Sequence, residues 1–134
     1  MADAPLPSQR YAEGVARGDW LHDPAQQAAL SALDRVHAAL LTPPPAHSLM
    51  QRLFARDEPA PATRGLYLWG GVGRGKTFLI DLFFVGLPIA EKRRTHFHRF
   101  MREVHERLRM HAGERDPLAA IAREWRQSLR VLVL

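Results

Sequence analysis

The sequence predicts an α/β fold, a parallel sheet with flanking helices, preceded by an N-terminal helical arm. Three observations predict it. Short strand-like runs, "LYLW" (66–69), "RRTHFHRF" (93–100) and "RVLVL" (130–134), alternate with helix-patterned stretches. The first and last of these runs are apolar on both sides of the pleat, as in strands covered by helices on both faces. The first also runs straight into a glycine-rich turn, Gly70-Gly71-Val72-Gly73-Arg74-Gly75-Lys76-Thr77, with an apolar helix pattern after it.

Taken in order, Pro5 and Pro7 predict a flexible tail, and Ser8 to Ala16 a short helix ended by Gly18. Asp23-Pro24 is a helix start, an acceptor at the N-cap followed by proline at the first helical position. Ala29, Leu30, Leu33, Val36, Leu40 and Leu41 then repeat at helical spacing and predict one core-facing stripe. Pro43-Pro44-Pro45 stops that helix. A further short helix is predicted over 47–54, then a polar, proline-rich loop, "RDEPAPATRG". This loop divides the chain into a helical arm with its linker, 1–64, and a partial core, 65–134. The predicted core has a strand over Leu66–Trp69, the turn, and a helix from Gly75 to Val85 closed by Gly86 and Pro88. Its second strand carries Phe97 on one face and His96 and His98 on the other. "FMREVHERLRMH" follows as a helix with an apolar stripe of Phe100, Met101, Val104 and Leu108, and with Arg102/Glu106 and Glu103/Arg107 spaced for i,i+4 pairs. Asp116-Pro117 opens a last helix running to Leu129, before the third strand.

The turn at 70–77 is a complete G-x-x-x-x-G-K-[ST] match, and each residue type has a physical reason. Glycines permit the backbone angles that turn several N–H groups inward around an anion. The helix beginning near Gly75 aims the positive end of its dipole at the same point. The Lys76 ammonium can reach the β- and γ-phosphates, and the Thr77 hydroxyl can ligate Mg²⁺ through the nucleotide. The predicted binding residues are therefore Gly70, Gly71, Val72, Gly73, Arg74, Gly75, Lys76 and Thr77, with ATP and Mg²⁺ as ligands. Asp81 and Glu91 are the acids nearest the loop in sequence, and neither is assigned as a catalytic base.

Composition limits the alternatives. With 134 residues, one small domain is expected. The chain has no cysteine, which excludes disulfides and thiolate metal sites. No basic-then-apolar leader opens it, and no apolar run reaches the length of a membrane span, so a cytoplasmic protein is expected. The net charge of +5 permits anionic partners and identifies none. Lys92-Arg93-Arg94, with Arg99 and Arg102, reads as solvated loop residues and not as a nucleic-acid patch. His96 and His98 have no third ligand placed to complete a metal site. Trp20, Trp69 and Trp125 read as core or interface anchors, with Trp69 at the mouth of the loop.

The stretch "GLYLWGGVGRGKTFLIDLFF" followed by "HFHRFMREVHERL", with "DPAQQAAL" and Leu33 upstream, resembles the ZapE/Afg-like ATPase family, a branch of the AAA+ P-loop NTPases. The resemblance runs from about Tyr11 to Leu134. It implies an AAA+-like P-loop fold and a bacterial cytoplasmic ATPase linked to cell division and acting at the division site. It also implies a partner in the division machinery such as FtsZ, peripheral association with the inner membrane, and a homo-oligomer when full length. By match, Gly70, Gly73, Gly75, Lys76 and Thr77 carry the phosphate and magnesium contacts, and the arm around Asp23, Pro24 and Gln26 lies near the adenine. In the family, a strand resembling "RVLVL" leads into the Walker B acids, and Leu134 is the last residue here. The resemblance therefore implies a fragment, incomplete at the C-terminus, that binds ATP, lacks catalytic residues for its hydrolysis and is poorly stable alone. Two other readings use the same loop: a small-molecule P-loop kinase, and a non-hydrolysing interaction module.

Overall fold

A computed structural model of the chain describes residues 4–42, 63–70 and 75–134. The described elements are α1 (Pro7–Arg17), a 3₁₀ turn (Pro24–Gln26), α2 (Gln27–Leu41), α3 (Lys76–Gly86), β1 (Lys92–Arg94), α4 (Phe97–Met110), α5 (Pro117–Ser128) and β2 (Val131–Val133). Contacts divide them into two compact units, Met1–Leu87 and Pro88–Leu134.

The first unit is a helical cluster. Proline at the first position and a bond from the Leu6 N–H to Gln9 Oε1 (2.8 Å) start α1, and Gly18 ends it at φ 80°. Pro7 is fully buried, so the chain is packed from that residue on and the expected tail is shorter than the prolines suggested. Asp34 of α2 accepts the Ser8 N–H at 2.9 Å, placing a carboxylate at the positive end of α1. Asp23 caps the 3₁₀ turn through the Ala25 N–H at 3.0 Å, as its position before Pro24 predicts. Leu30, Leu33, Val36 and Leu40 of α2 are buried and face the core with Tyr11 of α1 and Leu79 and Phe83 of α3. Leu41, expected in that stripe, is exposed at 38%. His37 is buried instead, and among the described residues neither ring nitrogen has a hydrogen-bond partner. The helix ends at Leu41 with Thr42 extended beyond it, as a following proline requires. The predicted helix over 47–54, the proline triplet and most of the linker lie outside the described residues.

Residues 66–69 are not a strand. Leu66, Tyr67 and Trp69 are exposed, Trp69 at 82%, so neither the buried strand nor a core role for Trp69 holds. A strand exists only by pairing its N–H and C=O groups with a neighbour, and among the described residues none pairs here.

The second unit holds the sheet. β1 and β2 are parallel, with Lys92 opposite Val131, Arg93 opposite Leu132 and Arg94 opposite Val133. Parallel pairing after an intervening helical crossover is the arrangement the alternating pattern predicted. Backbone bonds extend it, from Arg130 N–H to Glu91 O (2.8 Å) and from Thr95 N–H to Val133 O (3.0 Å). The expected second strand is shorter than its sequence run. His96 is the N-cap of α4, and Phe97 and His98 are its first helical residues, so the two histidines do not share a strand face. Asp116 caps α5 through the Ala119 N–H at 3.1 Å. Phe100 and Trp125 pack with ring centroids 5.3 Å apart, joining α4 to α5.

Charges tie these elements together. The guanidinium of Arg93 on β1 grips the Glu103 carboxylate on α4 with both prongs. This hydrogen bond, helped by the neighbouring charges of Arg93 and Arg107, holds Glu103 below its ordinary pKa. Arg107 bonds Glu124 of α5 at 2.6 Å. Glu103 and Arg107 thus reach out of their helix instead of forming the i,i+4 pair predicted for them. At the end of α4, His111 Nδ1 lies 2.7 Å from Glu114 and Nε2 lies 2.7 Å from Glu124. With carboxylates on both ring nitrogens, both must donate, which selects the imidazolium. The bond to Glu114 is the largest cause of a raised His111 pKa, and Glu124 acts in the same direction.

Candidate nucleotide-binding site

The candidate site forms where the irregular segment 63–70 ends and α3 begins. Gly75 precedes the helix at φ 75°, and Gly70 takes φ 150° on the other side of the turn. An L-residue at 75 would be strained in this left-handed conformation. It would also collide with the Gln26 carboxamide, whose nitrogen occupies the space where a Cβ on Gly75 would lie. Lys76 turns its ammonium back so that Nζ donates to Gly70 O at 2.5 Å, closing the two ends of the turn around one cationic group. Thr77 is exposed in the first turn of α3. Gly75 has no side chain to cap the helix, so the first-turn N–H groups are directed at the turn. A cation and a helix N-terminus thus meet, with the Thr77 hydroxyl in the same helical turn, and these donor types fit a phosphate chain and its magnesium. Of the predicted binding residues, Gly70, Gly75 and Lys76 are brought together, and Thr77 follows in the first turn of α3. Gly71, Val72, Gly73 and Arg74 lie outside the described residues.

The arm is built onto this site. Tyr11 OH donates to Leu21 O (3.3 Å) and accepts the Asp23 N–H (2.8 Å), fixing the loop between α1 and the 3₁₀ turn. Trp20 Nε1 donates to Tyr11 O at 3.0 Å, and the indole lies on Gly14, where any Cβ would overlap it. Phe78, two residues past Lys76, meets Trp20 edge-on with centroids 4.9 Å apart and Tyr11 at 6.4 Å. The loop that carries Gln26 is therefore anchored to the same helix that carries Lys76 and Thr77. No spacing rule finds the Gln26–Gly75 approach, because the two residues lie on separate elements far apart in sequence. Asp81, one turn beyond Thr77, is exposed on α3.

The sequence model of the AFG1-like ATPase family matches residues 6–134. The chain belongs to this family. Among its relatives, it is 42% identical over 135 residues to the cell division protein ZapE of Escherichia coli K12, covering 94% of this chain and 36% of that protein. An uncharacterised protein of Schizosaccharomyces pombe is 34% identical over 127 residues, covering 74% of this chain and 28% of its own. Lactation elevated protein 1 homolog B of Danio rerio is 47% identical over 52 residues, 39% of this chain and 10% of the relative. The AFG1-like chain thus spans 36% of the length of the ZapE protein it matches. No solved structure matches it. The small parallel sheet with helices is compatible with the P-loop architecture of this family. Among the described residues, no helix is long and apolar enough to cross a membrane, and no group of His, Asp and Glu side chains is placed to hold a metal ion on its own.

Proposed function

We propose that this chain binds the triphosphate of ATP in the loop 70–77 and forms the nucleotide-binding part of a cell-division-associated AAA+ ATPase. The observation that carries the reading is the junction of Gly70, Gly75 and Lys76, where the ammonium closes on the loop at the N-terminus of α3. Backbone N–H groups of the loop and the first turn receive phosphate oxygens, and Lys76 offsets their charge. The Thr77 hydroxyl would hold Mg²⁺ together with the nucleotide, and the ion would supply the charge neutralisation that phosphoryl transfer needs. Gln26 and the Asp23–Pro24 turn, held against α3 by Trp20 and Phe78, form the wall on the nucleoside side. Functionally, 1–64 is an arm and linker, and 65–134 the front of the ATPase core. Hydrolysis is assigned to the full-length protein, which acts as a homo-oligomer on a protein partner of the division machinery. Its place is the bacterial cytoplasm at the division site, with peripheral attachment to the inner membrane.

Isothermal titration of the chain with Mg-ATP tests this. Saturable binding is expected, weakened roughly 10- to 100-fold by Lys76→Ala, the value of one or two charge-assisted hydrogen bonds. Equal binding by wild type and Lys76→Ala sinks the reading.

A further inference from the structure

The exposed face of α4 carries an ordered line of basic side chains. His98, Arg102, His105 and Arg109 are all exposed. Their spacing, i, i+4, i+7, i+11, puts them within about 60° of one another around the helix and along roughly 16 Å of its length. The other charged residues of this helix are divided. Glu103 and Arg107 are engaged with Arg93 and Glu124, while Arg99 and Glu106 flank the line. Among the described residues, none of the four in the line makes an ion pair. The whole positive excess of the chain lies in this unit, since residues 88–134 hold eleven Lys and Arg against six Asp and Glu.

We propose that this line docks an acidic α-helical segment of a partner protein. A facing helix has the same residue repeat, so carboxylates at i, i+4, i+7 and i+11 meet the four basic groups in register. Arg102 and Arg109 offer forked donors to carboxylates, and the two imidazoles offer N–H donors between them. Single-stranded nucleic acid fits less well. It is held by aromatic platforms set among the charges, whereas the exposed aromatic of this helix, Phe97, sits at the N-terminal end and meets only His98 of the line, edge-on with ring centroids 6.4 Å apart. A bilayer surface fits less well too, because the apolar stripe that would enter it, Phe100 with Met101, Val104 and Leu108, is turned inward toward the rest of its own unit. The docking is independent of nucleotide binding, since none of the four residues belongs to the phosphate loop.

The test uses the full chain and labelled helix-forming peptides of roughly 18 residues, in fluorescence anisotropy at low salt. One peptide carries Glu at i, i+4, i+7 and i+11, and a second has the same composition with Glu spread around the helix. The registered peptide is expected to bind about tenfold tighter than the spread one, and Arg102→Glu/Arg109→Glu to remove that advantage. A peptide with Lys in place of Glu is expected to bind the double variant better than wild type, a rescue that a variant merely misfolded cannot show. Unchanged ATP titration of the variant separates this surface from the nucleotide site. Equal binding of the two peptides overturns the proposal. So does tighter binding of an oligothymidylate or of phosphatidylglycerol vesicles than of the registered peptide, or failure of the Lys peptide to rescue.

Discussion

Residues up to Leu87 and residues from Pro88 onward belong to one chain but cohere by different means. The first unit buries Tyr11, Leu30, Leu33, Val36, Leu40, Leu79, Phe83 and Leu87. Its Lys and Arg are balanced by its Asp and Glu, eight against eight. In the second unit, Ile89, Ala120 and Ile121 are the buried apolar residues, and ion pairs join β1 to α4 and α4 to α5. The difference matters for function. Apolar packing holds α3, the helix that carries Lys76 and Thr77, against the arm. In the second unit ion pairs add to a smaller apolar core and to the packing of Phe100 on Trp125.

Substitutions in the two units should differ in size and in salt response. The largest effect is expected in the apolar unit, where Leu30→Ala empties a fully buried position and costs about 2–5 kcal/mol, read as a lowered urea midpoint that changes little with salt. Gly75→Ala comes next, at about 1–2 kcal/mol for the left-handed conformation alone. Because the new methyl also displaces Gln26, this variant should lose ATP affinity as well as stability. A Gly75→Ala protein with wild-type ATP titration would show that the loop junction does not hold the nucleotide. In the charged unit, Glu124→Gln releases both Arg107 and His111. It should cost on the order of 1 kcal/mol at low salt and less at high salt, a salt dependence that Leu30→Ala lacks.

The pH dependence is the smallest effect and belongs to the second unit. His111 has a folded pKa above its ordinary 6.5. Its stabilisation is therefore complete below pH 6.5 and is lost as pH rises through the raised value. Glu103 has a folded pKa below its ordinary 4.5. Its stabilisation is present above pH 4.5 and is lost as pH falls through the lowered value. Urea midpoints measured across pH should fall on both sides. His111→Gln should remove the alkaline fall and leave the acid one; an alkaline fall that persists in this variant assigns it to another group.

What could be read in the sequence was what local chemistry decides. Asp23 and Asp116 before prolines announced two helix starts, and both side chains accept the expected backbone N–H. The glycine turn and Lys76 announced the candidate site. What could not be read depends on partners distant in the chain. Residues 66–69 have a buried strand's composition but no described neighbour to pair with, so they are not a strand. His37 sits on the apolar side of α2, and a hydrophobicity pattern does not mark a histidine as core. The start of α4 at Phe97 overrode an alternating pattern that suits a strand equally well. Glu103 and Arg107 had ideal helical spacing for each other, but better-placed partners on β1 and α5 took both. The approach of Gln26 to Gly75 needed the aromatic cluster of Tyr11, Trp20 and Phe78 to bring the arm to α3.

Amide hydrogen exchange of the chain with and without Mg-ATP tests the central claim most directly, because it reads both units in one experiment. Slower exchange with ATP is expected at 75–80 and at 23–27, the loop junction and the arm turn beside it, with no change at 97–128. Unchanged exchange at 75–80 in saturating ATP, or protection confined to 97–128, would contradict it.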